Sequence, residues 1–154
     1  MRIGISINGQ GRGHLTRMTA LAQHLQNDHE IVFWCPDKYH TFLKQHFPDN
    51  FIYSIPYYKF VIEDNRIDVF KTGISNMEHI IGLPVYISDL ADQIRLMDIN
   101  TLISDFEPFL PKAARKVGIP IIQLNHPGVV LRSVAFTADA LLAKVISTSM
   151  MGEY

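Results

Sequence analysis

Short apolar runs alternate with amphipathic segments along nearly the whole chain. Ile3, Ile5 and Ile7 fall in an apolar run closed by Gly9, which predicts a first strand. Residues 14–26 carry Leu15, Met18, Ala22 and Leu25 at helical spacing. Residues 31–35 predict a buried second strand stopped by Pro36, and Asp37 is suited to cap a helix that includes Phe42 and Leu43. Residues 51–55 predict a third strand. Two β-rich pieces, 59–62 and 66–70, then flank Glu63, Asp64 and Asn65 in a hairpin pattern. Residues 77–97 predict helix interrupted at Gly82, with Pro84 suited to open the second piece. Residues 101–104 predict another strand. Pro108 suits the first turn of a helix reaching Val117, and Gly118 suits its C-terminal cap. An apolar strand over 119–124 and an apolar helix over 135–150 complete the pattern.

Uninterrupted apolar strands between helices imply a parallel sheet covered on both faces. The predicted fold is α/β: Rossmann-like, doubly wound, with a mainly parallel sheet. At 154 residues the chain has the length of one domain, here 1–154. A hydrophobic fraction of 47% and a charged fraction of 19% are ordinary for a globular protein. A net charge of −1 gives no electrostatic case for nucleic acid. Cys35 is the only cysteine, so no intrachain disulfide forms, which fits a reducing compartment. The N-terminus lacks the pattern of a signal peptide, and no segment approaches ~18 consecutive apolar residues. Peripheral contact with a membrane surface stays open.

In open sheets of this kind, ligands sit beyond the carboxyl ends of the strands. Three segments fall there: 9–14, 104–108 and 125–128. The first, Gly9-Gln10-Gly11-Arg12-Gly13-His14, has three alternating glycines ahead of a helix N-terminus. Such a loop either packs against a phosphate or sugar or forms a tight turn that binds nothing. A dinucleotide fingerprint requires a glycine where His14 stands and an acidic end to the second strand, where Cys35-Pro36 stands. No Gly-Lys-Ser/Thr sequence marks a P-loop. His14, at the first helical turn, is a candidate base kept neutral by the helix field, or a capping residue. Asp105 ends a buried strand, where an unpaired carboxylate is costly, so a partner is expected. An imidazole on the same rim is suitable, its other ring nitrogen left as acceptor. Capping the helix near Pro108 is the alternative, and the two roles are compatible.

Gly-x-Gly-x-Gly-His-x-x-Arg over 9–17 resembles the opening of bacterial glycosyltransferases of the GT-B fold. The group it is most similar to includes the peptidoglycan N-acetylglucosaminyl transferase and diacylglycerol glycosyltransferases. Ser104-Asp105-Phe106-Glu107-Pro108, followed by Gly118-Ile119-Pro120, looks like the Asp-containing segment of the same superfamily. The resemblance implies an N-terminal, acceptor-binding domain of an inverting, metal-independent transferase. His14 would deprotonate the acceptor hydroxyl and Asp105 would hold His14. The donor would be a nucleotide sugar, UDP-linked, bound as substrate rather than cofactor; no cofactor or metal is implied, and the histidines are scattered. The acceptor is a hydroxyl compound, lipid-linked in some members. The location implied is cytoplasmic, with the inner face of the membrane left open.

Gly9, Gly11, Arg12, Gly13, Arg17, Glu107 and His126 are candidate substrate-binding residues. For most of them a plainer role stands beside this one: a free surface arginine for Arg12, a solvated helix residue for Arg17, a favourable charge at a helix N-terminus for Glu107, and a turn residue for His126. Tyr57, Tyr58 and Phe60 either cover an acceptor or pack the hairpin. The departure from the family is length. No second glycine-rich segment follows, so the sugar-nucleotide domain is expected to be absent and the fragment alone inactive. The apolar helix over 135–150, packed in the family against that second half, would here favour dimerisation. The competing readings are an assembly module completed by a partner chain and a Rossmann-like nucleotide binder.

Overall fold

The computed structural model describes residues 1–63 and 66–124. Five strands form one all-parallel sheet: β1 (Arg2–Ile7), β2 (Glu30–Cys35), β3 (Phe51–Ser54), β6 (Thr101–Asp105) and β7 (Ile121–Gln123). Their spatial order is β3-β2-β1-β6-β7. The chain builds outward from β1 to β3, then crosses back to lay β6 on the other side of β1. The strand order therefore reverses between β1 and β6, and in open sheets of this kind ligands bind beyond the carboxyl ends at such a reversal.

Strand alternation gives the sheet two apolar faces. On one, Ile3, Ile5, Ile7, Phe33 and Cys35 pack against Leu15, Met18 and Ala22 of α1 (Arg12–Leu25) and Leu43 of α2 (His40–His46). On the other, Val32, Trp34 and Leu102 pack against Leu90, Ala91 and Ile94 of α5 (Leu83–Leu96) and Leu110, Ala113 and Ala114 of α6 (Leu110–Val117). Trp34 is fully buried, and its indole N–H donates to Gln93 Oε1 at 2.8 Å. A buried indole needs such a partner. Helices on both faces of a parallel sheet make the doubly wound architecture expected from the sequence.

Local details differ. Asp37 does not cap a helix: Pro36 takes that position, Asp37 opens a 3₁₀ turn (Asp37–Tyr39), and its carboxylate accepts from Ser54 Oγ instead. The hairpin is present but short, β4 (Ile62–Glu63) against β5 (Arg66–Ile67). Its second arm ends early because Asp68 caps a helix, α3 (Val69–Ser75), accepting from the Lys71 backbone N–H at 2.8 Å. That cap outweighs the β propensity of Val69 and Phe70. α4 (Met77–Ile81) and α5 divide at Gly82 as the sequence suggests. α6 starts at Leu110, two residues beyond Pro108, and ends on Gly118 in the left-handed region (φ 86°). β7 is an edge strand with Ile122 exposed, rather than buried throughout. The helix expected over 135–150 lies outside the described residues.

Candidate functional site

Parallel pairing of β1 with β6 sets Ile7 beside Asp105, so the loop after β1 and the turn after β6 leave the sheet side by side. Asn8 fastens them together. It is 4% exposed. Its backbone N–H donates to the Asp105 carbonyl at 3.2 Å, and its Nδ2 donates to the Phe106 carbonyl at 2.5 Å. Its Oδ1 accepts from the Gln10 backbone N–H at 2.7 Å. Sequence reasoning passed over Asn8. The available signal was a polar residue at the end of a buried strand, where side-chain amide groups must find partners.

The glycine loop is held from the other side by aromatic rings. Tyr39 O–H lies 2.9 Å from the Gly11 carbonyl and 3.2 Å from that of Gly9, one of which takes its proton. Tyr57 lies against Gly9 so closely that a Cβ there would sit 2.3 Å from the ring. Gly9 is thus required for a close approach. Gly11 is required for a different reason, since it adopts φ 83° immediately before α1. Gly13 is exposed with open space around it. No side chain caps the N-terminus of α1, and no acidic residue occupies its first turn. Its first amides therefore stand available to an anion.

One turn into α1, His14 and Arg17 meet Asp105. His14 Nδ1 is 3.0 Å from Asp105 Oδ1. Arg17 donates through Nε to Oδ2 and through Nη2 to Oδ1, a bidentate clasp. Asp105 is completely buried, His14 is 21% exposed and Arg17 45%. Burial by itself pushes the Asp105 carboxyl up, but hydrogen bonds from His14 and Arg17, with the positive charge of the Arg17 guanidinium, outweigh it and hold the group below its ordinary range. The Arg17 guanidinium is raised in turn, chiefly by its hydrogen bond to Asp105 and against the opposing effect of burial. Arg17 Nη2 also lies 2.9 Å from His14 Nδ1. Nδ1 cannot accept from Arg17 while its own proton points at Oδ1. The tautomer with Nδ1–H directed at Asp105 gives the buried anion a further donor and leaves Nε2 as an acceptor. Behind His14, Phe106 stacks on the imidazole at 5.8 Å between centroids and 14° between planes. Phe106 adopts φ 54°, a conformation that costs a non-glycine residue about 1 kcal/mol. The Asn8 bond to its carbonyl helps to hold it there.

A model of glycosyl transferase family 1 matches residues 1–152. The chain belongs to glycosyl transferase family 1. No curated protein gives a significant sequence match. Among solved structures, MurG of Acinetobacter baumannii is similar with a TM-score of 0.55 at 16% identity, over 79% of this chain and 33% of that one. UGT89C1 of Arabidopsis thaliana, solved with UDP, gives a TM-score of 0.57 at 14% identity, over 93% of this chain and 42% of that one. UDP-GlcNAc 2-epimerase of Methanocaldococcus jannaschii gives 0.54 at 10% identity, over 98% of this chain and 38% of that one. At such identities the likeness is one of fold. The chain spans between a third and about two fifths of the length of these proteins. The resemblance to GT-B glycosyltransferases holds at the level of family and fold.

The remaining candidates of this family 1 chain are placed differently. Glu107 is 1% exposed. Its Oε1 accepts from the Phe109 N–H at 2.6 Å and its Oε2 from the Leu110 N–H at 2.8 Å. It caps α6 and has no surface with which to touch a substrate. Burial raises its carboxyl to about 7, against the opposing pull of those two N–H groups; the Ser6 hydroxyl, whose Oγ has no hydrogen bond of ordinary geometry, and Lys112 also favour the anion. Arg12 is exposed at the first residue of α1. His126 lies outside the described residues. Tyr58 packs on Phe109 at 5.1 Å between centroids. Among the described residues no three His, Cys, Asp or Glu side chains converge as metal ligands, and no helix is long and apolar enough to cross a membrane.

Proposed function

We propose that this chain is the acceptor-activating domain of an inverting, metal-independent glycosyltransferase that uses a nucleotide sugar, UDP-linked as in the complexes of its structural relatives. The observation that carries this reading is His14 Nδ1 set 3.0 Å from a buried carboxylate at the carboxyl ends of the adjacent strands β1 and β6. Asp105 fixes the imidazole, and Arg17 keeps Asp105 ionised and in place. His14 Nε2 takes the proton from the acceptor hydroxyl. The oxygen forms a bond to the anomeric carbon from the face opposite the leaving group. The bond from that carbon to the diphosphate oxygen breaks, and the nucleoside diphosphate departs with its electron pair. General-base assistance of this kind contributes roughly 10²–10⁴ in rate. The open amides of α1 are suited to the negative charge of the donor. The domain that binds most of the donor is supplied by further sequence or by a partner chain.

The test is transfer and donor hydrolysis by the chain together with whatever continuation its reading frame encodes, across a panel of nucleotide sugars, with His14→Ala alongside. A loss of about 10²-fold or more in turnover with donor binding intact is expected. Unchanged turnover would remove His14 from the chemistry.

A further inference from the structure

Beside the glycine loop, on the same rim, a cavity of about 430 Å³ opens beyond the carboxyl ends of β2 and β3. That volume suits a small organic ligand. Its walls include Pro36, Ile55 and Pro56 and the rings of Tyr57, His79 and Tyr86. Tyr57 is shared with the site described above, since the same ring packs against Gly9. A molecule in this cavity therefore lies next to the loop that leads into His14.

The charge of the cavity is unusual. Lys38 and Lys59 both line it. Lys38 Nζ sits 4.4 Å from the centroid of Tyr57 and 5.2 Å from that of Tyr39, and Lys59 Nζ sits 5.9 Å from the Tyr57 centroid. Neither ammonium has a carboxylate partner among the described residues. The single acidic residue of the lining, Asp37, is occupied: it accepts from Ser54 Oγ and lies 3.9 Å from His40 Nε2. Two like charges converge on one aromatic ring, an arrangement that cation–π attraction supports weakly and that an anion between them would complete. In the wall, His79 Nδ1 has no hydrogen-bond partner among the described residues.

Resting on the reading of this chain as an acceptor-binding domain, we propose that the acceptor carries an anionic group, a phosphate or a carboxylate, on an apolar or aromatic body. The body lies between Tyr57 and Tyr86, and Lys38 and Lys59 take the charge. Neutral sugars or alcohols of the same shape are poor ligands.

The 154-residue chain is titrated with phenyl phosphate, benzoate and phenol while the ring signals of Tyr57, Tyr86 and His79 are followed by NMR. The expected result is binding of one or both anions about tenfold or more tighter than phenol, a preference lost in Lys38→Met/Lys59→Met and kept in Lys38→Arg/Lys59→Arg. Phenyl phosphate ahead of benzoate identifies a phosphate acceptor, and the reverse order a carboxylate. Phenol binding as tightly as the anions, a preference that survives in the methionine variant, or no binding of any probe at millimolar concentration overturns the proposal. Turnover of His14→Ala is read separately. Failure there removes the transferase reading and leaves an anion preference standing, whereas loss of the preference leaves the turnover result untouched.

Discussion

Replacing Glu107 by glutamine tests how this fold carries a buried carboxylate directly behind its candidate site. The side chain is 1% exposed, and its two oxygens accept the Phe109 and Leu110 N–H groups at the start of α6. Burial raises the carboxyl from 4.5 to about 7. The folded state therefore holds this proton more tightly than the unfolded chain. The stability linked to it is complete below about pH 4.5 and is lost as pH rises to about 7. At ~1.36 kcal/mol per pH unit, the full loss is on the order of 3 kcal/mol. The substituted amide does not ionise. Its oxygen keeps one of the two N–H bonds, while its nitrogen cannot accept the other, a loss that does not vary with pH. Whatever the offset at pH 5, Glu107→Gln should gain about 2.5 kcal/mol relative to wild type between pH 5 and pH 8. Urea unfolding followed by circular dichroism at pH 5, 6, 7 and 8 measures the difference. Both proteins carry the same seven histidines, so their titration cancels. A difference that stays constant across the range would refute the reasoning, and would mean that the α6 amides hold the carboxylate ionised throughout.

The remaining predictions concern the loop and the clasp. Gly9→Ala places a Cβ 2.3 Å from the Tyr57 ring, so that ring must move, at about 1–3 kcal/mol in stability read from urea unfolding. Gly13→Ala, with open space around it, should be neutral or stabilising by up to about 1 kcal/mol; equal losses at both positions would show that crowding is not the cause. Asp105 has its carboxyl held below the ordinary range, so its contribution to stability is present above about pH 4 and is lost as pH falls further. Acid titration of wild type and Asp105→Asn should therefore show their stability gap narrowing below that pH, and a gap that widens there would contradict the assigned ion pairs.

Much of this protein is legible in its sequence because local patterns report local physics. Apolar runs such as 31–35 specify strands that must be buried on both faces, and Leu15, Met18 and Ala22 fall on one face of a helix because its period is 3.6 residues. These rules yield the α/β class, and the glycine loop and Asp105 mark the rim without coordinates. The failures are equally local in cause. Capping by Asp68 ended the second hairpin arm, and Asp37 found Ser54, distant in sequence, in place of a helix terminus. What only the tertiary structure decided is which distant residues meet. Pairing of β1 with β6 brings the loop at 9–14 against Asp105, 88 residues beyond Arg17. That pairing turns Arg17 from a helix residue of no evident role into a clasp, and it buries Asn8 as the link between two strand ends. It also faces Glu107 inward, onto the amides of its own helix. The sequence carries the period of each element, but the charge and burial of a side chain depend on what the sheet order sets beside it.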